Sequence, residues 1–165
     1  MDDSAVYTLY LNTSDAFPNL YSNIDKSNCT WLVNWDNLFD GDQDKYNKCR
    51  VRVSLVSTQS ASITDSACKG ILVANFGTRY SPSITRDTPI GIVNVFASTT
   101  AGAPYFAVDT LQTAGANINI QRGASYLNLG LYKQSFGAVG SANNVLTGVN
   151  VDYQAIFTFE LYDPR

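Results

Sequence analysis

Histidine is absent from all 165 residues of the chain. Its absence removes Ser–His and Cys–His nucleophilic catalysis, His-ligated zinc and imidazole general bases together. Glutamate is almost absent as well, since Glu160 is the only one among 14 carboxylates. Charged side chains make up 15% of the chain, while hydrophobic ones reach 45%. That balance excludes a disordered polyelectrolyte. The 11 basic residues fall short of the 14 acidic ones, for a net charge of −3. A general nucleic-acid binder carries a basic excess, so no specific nucleic-acid partner is expected. No apolar run approaches the roughly 18 residues of a membrane helix, and no membrane span is expected. Met1-Asp2-Asp3-Ser4 has neither the basic nor the apolar region of a secretory signal, which predicts no signal peptide.

Motifs of nucleotide and hydrolytic chemistry are missing too. There is no Gly-x-Ser-x-Gly and no Gly-Lys-Ser/Thr loop, and Asp109-Thr110 runs into Leu111 rather than glycine. Nothing selects a pair of aspartates for hydrolysis. The chain is therefore expected not to be an enzyme, with no small-molecule substrate and no cofactor. Cys29, Cys49 and Cys68 are odd in number and form no Cys-x-x-Cys. They read as buried thiols rather than a disulfide framework.

What is present is alternation. Tyr7, Leu9 and Leu11 alternate with Thr8, Tyr10 and Asn12, the pattern of a half-buried strand. Cys29–Trp35 is aromatic and β-branched. Trp35 to Asp44 reads as a short helical turn or loop, with Asp40-Gly41 as a turn signal. Arg50, Arg52 and Ser54 alternate with Val51, Val53 and Leu55, while Ile71–Phe76 is apolar enough to be covered on both faces. Ile90–Ala97, Tyr105–Val108 and Tyr126–Leu131 follow. In the last strand Val151, Tyr153, Ala155, Phe157, Phe159 and Leu161 share one face, opposite Asp152, Gln154, Ile156, Thr158 and Glu160. These are about eight strands with no long helix, no repeat and no linker. They predict an all-β fold: one antiparallel eight-stranded β-sandwich over residues 1–165, a single jelly roll with long connections.

Three constellations could carry function. Asp40, Asp42 and Asp44 have the odd spacing of calcium ligands. Counted from Asp40, however, the glycine and glutamate positions of an EF-hand hold Lys45 and Val51. The segment reads as a solvated acidic loop, and no metal is expected. Trp31 and Trp35 lie four apart and read as core rather than as a sugar-stacking platform. Arg50 and Arg52 share a strand face that is either solvated or a partner-binding stripe.

The layout carries a resemblance. Asn28-Cys29-Thr30-Trp31-Leu32-Val33-Asn34-Trp35-Asp36-Asn37-Leu38-Phe39 precedes Lys48-Cys49-Arg50-Val51-Arg52-Val53-Ser54-Leu55-Val56-Ser57, and the chain closes on Phe157-Thr158-Phe159-Glu160-Leu161-Tyr162. This resembles the small single jelly-roll capsid proteins of large icosahedral double-stranded DNA viruses. The resemblance implies a penton or a minor, cementing capsid component with no catalytic residues. Its partners are then copies of itself, the major capsid protein, or both. Its location is the virion, after synthesis in the host cytoplasm. Outward residues Arg50, Arg52, Asp152 and Glu160 are the candidate interface. The alternative is a carbohydrate-binding β-sandwich that uses exposed Tyr or Trp with loop Asn and Asp.

Overall fold

A computed structural model describes residues 3–17, 26, 28–57, 69–77, 88–96, 105–108, 115–133 and 152–163. They form strands β1 (Ser4–Asn12), β2 (Asn28–Asn34), β3 (Lys48–Ser57), β4 (Lys69–Ala74), β5 (Thr88–Phe96), β6 (Tyr105–Val108), β7 (Ala116–Ile118), β8 (Ala124–Lys133) and β9 (Tyr153–Tyr162). One short helix, α1 (Trp35–Phe39), lies between β2 and β3. All strand pairs are antiparallel. One sheet has the order β1-β9-β3-β7 and the other β2-β8-β4-β5-β6. From β1 to β4, and again from β7 to β9, the chain changes sheet at every step. That crossing produces the jelly roll. Among the described residues β6 pairs only with β5 and extends the second sheet by one.

Period two decides which side chains meet between the sheets. In β9 every odd-numbered residue from Tyr153 to Leu161 is buried, and its even-numbered neighbours are half-buried on the outer face. Each Val, Leu or Phe so buried contributes about 1.5–3 kcal/mol of transfer free energy. β9 is flanked by β3 along its whole length and by β1 from Gln154 to Tyr162, so Phe157 and Phe159 lie in the middle of the sheet. The Phe159 ring meets Trp35 at 5.7 Å, Phe39 at 5.5 Å and Phe76 at 5.9 Å, all edge-on. These are favoured aromatic geometries. Trp31 and Trp35 are both buried, as the core reading expects.

The helical turn has a local cause at each end. The Asn34 side chain accepts a hydrogen bond from the Asn37 amide, which caps α1. The chain leaves α1 through two left-handed residues, Asp40 (φ 51°) and Gly41 (φ 76°), a conformation aspartate tolerates and glycine favours. In β4, Leu72, Val73 and Ala74 are all buried, in keeping with its unbroken apolar run. Cys29 and Cys49 are both buried, whereas Cys68 lies outside the described residues. The described residues hold nine strands rather than eight. The additional one is β7, whose Ala-Asn-Ile is too short to show alternation.

Candidate functional site

The outer face of the four-stranded sheet gathers three of the four residues expected at an interface. The β3–β9 register sets Arg50 opposite Glu160 and Arg52 opposite Thr158. Glu160 therefore lies between the two guanidinium groups, 3.7 Å from Arg50 and 3.8 Å from Arg52. Arg50 also places its guanidinium 5.0 Å from the centre of the Tyr162 ring, a cation–π distance. The Tyr162 hydroxyl in turn donates to Asn117 Oδ1 at 3.2 Å. Gly115 keeps the arginine stems in place at the start of β7. A Cβ there would come within 2.7 Å of the Val51 carbonyl and 2.9 Å of the Cγ atoms of both arginines. Two guanidiniums thus share one carboxylate. Long, partly exposed ion pairs of this kind contribute about 0–1 kcal/mol each, so the cluster sets charge pattern more than stability.

The fourth residue is elsewhere. Asp152 sits before β9 at the far end of the sheet, where it accepts from Thr13 Oγ1 at 2.8 Å and pairs with Lys26 at 3.4 Å. Thr13 Oγ1 also accepts from the Tyr153 amide at 3.0 Å, which fixes the start of β9 against the end of β1. In its observed contacts Asp152 ties a strand end in place.

Apolar side chains on the same outer face went unmarked in the sequence. Tyr10 is 62% exposed and Val6 61%. Tyr10 lies opposite Ile156, and Val56, also exposed, lies diagonal to Ile156 across β9 and β3. A second exposed group lies on the five-stranded sheet. There Leu32 opposes Tyr126, and the Phe17 ring meets Tyr126 edge-on at 5.7 Å. Alternation does place these residues outward. Nothing local in the sequence distinguishes an outward residue that meets solvent from one that meets a partner.

The acidic loop has a different role from a metal site. Asp42 accepts a hydrogen bond from the Tyr7 hydroxyl and pairs with Lys45 at 2.6 Å. Asp44 pairs with Arg122 at 2.6 Å. Lys45 and Tyr7 hold the Asp42 carboxyl below the ordinary aspartate range. Burial, followed by the hydrogen bond to Asp42, pushes the Tyr7 phenol up to about 12. Burial, with Glu160 nearby, pushes the Cys49 thiol up to about 12 as well. A thiol of that kind is a poor nucleophile at neutral pH. Among the described residues no three Cys, Asp or Glu side chains converge as metal ligands. No described helix is long and apolar enough to cross a membrane.

No protein-family model matches the chain. No curated protein matches it. Among solved structures it is similar to a chain of Turnip Yellow Mosaic Virus, determined at 100 K, with 10% sequence identity. That alignment covers 100% of this chain and 96% of the viral one, with a TM-score of 0.28. A likeness at that score carries no argument, and the strand order rests on the hydrogen-bond ladders alone.

Proposed function

We propose that the chain is a structural subunit of an icosahedral virus shell, a penton or minor component that binds copies of itself or neighbouring shell proteins. The observation that supports this most is the interlocked strand order β1-β9-β3-β7 over β2-β8-β4-β5. That order belongs to jelly rolls, which serve as viral capsid and lectin domains. The order by itself does not choose between them. The exposed apolar groups on both outer faces favour the shell reading, because exposed patches mark contact surfaces. The lectin reading loses the side chains best suited to stack on a sugar, since both tryptophans are buried. In this reading the subunit performs no chemistry. It works by shape and by buried surface, with roughly 1,600 Å² at a standard interface. The Arg50–Glu160–Arg52 cluster supplies charge pattern, which governs partner choice and register more than affinity. The double-stranded DNA virus class and the virion location follow from the sequence resemblance and are part of the proposal.

The test is native mass spectrometry with negative-stain electron microscopy over a range of concentrations, alone and with candidate shell proteins. Closed oligomers, or incorporation into particles, are expected. A chain that joins no particle and instead binds a defined glycan on an array would overturn the proposal.

A further inference from the structure

Among the described residues the two sheets have four edges, and they are not alike. The strand β7 ends one sheet with three residues and β6 ends the other with four. Short edges offer little to pair with. The edge strand β2 is met by Phe17, which bridges Thr30 and donates its amide to the Thr30 carbonyl at 2.8 Å. The remaining edge, β1, is nine residues long. Its sequence, Ser-Ala-Val-Tyr-Thr-Leu-Tyr-Leu-Asn, has no charge and no proline. Its register with β9 runs unbroken from Ser4 to Asn12, so no bulge bends it away. Charge, proline, bulges and short length protect edge strands, as does a covering helix or loop; β1 has none of the first four, and among the described residues α1 and the Asp42 turn reach it through its inward Tyr7. At the end of β1, Trp31 Nε1 donates to the Asn12 carbonyl at 2.8 Å.

The side chains of β1 are also incompletely covered. Tyr7, Leu9 and Leu11 point inward yet are half-buried, whereas Phe157, Phe159 and Leu161 on the adjacent strand are fully buried. Val6 and Tyr10 are exposed on the outer face. A strand added beyond β1 would cover both rows and satisfy the open ladder, as in β-augmentation.

We infer that β1 pairs antiparallel with β1 of a second copy, about a two-fold axis through Thr8. The sequence is complementary to itself in that register. With Thr8 opposite Thr8, Val6 meets Tyr10 on the outer face, and Tyr7 meets Leu9 on the inner face. Ala5 meets Leu11, and Ser4 meets Asn12 at the two ends. All nine residues overlap and every side chain keeps its face, as a buried face requires. Isologous pairing of this kind closes at two copies. The result is one continuous sheet with four strands from each copy. The inference names a surface, and it holds whether or not the chain builds a shell.

Two measurements test it. In sedimentation velocity from about 1 to 300 µM, a range that brackets weak to moderate association, the full chain shifts from monomer to dimer. Thr8→Lys and Thr8→Glu each change a solvent-facing residue, so both fold and melt like the parent. Each sets like charges directly opposite at the axis, which is destabilising across strands, and each raises the dimer Kd at least about tenfold. A one-to-one mixture of the two variants restores dimer, because the charges are then opposite. The second measurement uses the unmodified chain: hydrogen exchange of the Ser4–Asn12 amides slows as concentration rises. A parent that stays monomeric, variants that dimerise as the parent does, or a mixture that restores nothing would each overturn the inference. So would β1 amides whose exchange ignores concentration.

Discussion

Replacing Phe159 with alanine probes the point on which both sheets close. The ring is fully buried in β9, with its neighbours Tyr7 on β1 and Val51 on β3 directly opposite it in register. Trp35, Phe39 and Phe76 meet it edge-on, and Phe157 stacks beside it at 6.1 Å. Removing a buried phenylalanine side chain costs about 3–5 kcal/mol, part from transfer and part from the cavity. Four ring partners at about 0.5–1.5 kcal/mol each would add more if they summed, but contacts that share one ring do not add. A loss of about 4 kcal/mol is therefore expected, within a total stability of about 5–15 kcal/mol. At about 2–4 °C per kcal/mol for a chain of this length, the melting temperature falls by about 8–16 °C. Urea unfolding monitored by tryptophan fluorescence measures the loss directly, since Trp35 is a neighbour of the cavity. The paired control is Thr158→Val, one residue away on the outer face, which changes stability by about 0.5 kcal/mol or less. If Phe159→Ala cost under about 1 kcal/mol while Thr158→Val cost more, the assignment of the β9 faces would be refuted.

Further outcomes follow from single contacts. Arg52→Glu exchanges the Arg52–Glu160 pair for two like charges, yet Arg50 still neutralises Glu160; melting of the free subunit changes by about 1 kcal/mol or less, and loss of assembly without loss of stability would place the cluster at a contact. Gly115→Ala meets a positive φ of 70° and the Val51 carbonyl at 2.7 Å; a cost of about 1–3 kcal/mol, with faster amide exchange in β7, is expected. Asp42 has a lowered pKa in the fold, so its contribution is present above the ordinary aspartate pKa and is lost as pH falls through the folded value. Acid titration of Asp42→Asn therefore shows a shallower loss of stability than the parent below about pH 4. Tyr7 has a raised pKa of about 12, so its contribution is full below the unfolded value of 10 and is lost as pH rises from there towards 12; the ultraviolet phenolate step that the parent shows and Tyr7→Phe lacks identifies it. Cys49 is buried, with its thiol pushed up to about 12; it reacts with a disulfide reagent at pH 8 only after denaturant is added.

Much of the fold was legible because alternation is local and strong where one face is buried. The two faces of β9, the arginine face of β3 and the inward row Tyr7, Leu9 and Leu11 could each be read from residues two apart. The turn after α1 was legible too, because Asp40 and Gly41 carry their own conformational preferences, whereas the Asn34 cap was not picked out. The strand β7 was not, since three residues give no period. Pairings were not legible either. Glu160 answers both Arg50 and Arg52 across more than a hundred residues of sequence, and the link exists only because β3 and β9 are neighbours. Asp152 shared the outward parity of Glu160, but parity says nothing of position along the strand. It lies at the far end, with Thr13 and Lys26.

The edge of β1 shows why function lagged behind fold in the reading. That Ser4–Asn12 lacks charge, proline and glycine was plain from the sequence. In a central strand the same lack has no consequence, because both sides of the ladder are already paired. The central strand β9 also has neither proline nor glycine, and it is bounded by β1 on one side and β3 on the other. Only strand order turns an unguarded sequence into an unguarded edge, and strand order is set by chain crossings that no local period reports. Once β1 is known to be an edge, its composition gains physical meaning: nine residues with open ladder groups and half-covered apolar rows either pair or aggregate. The self-complementary register about Thr8 gives that edge a closed partner, which ends growth at two copies where an open edge would continue it.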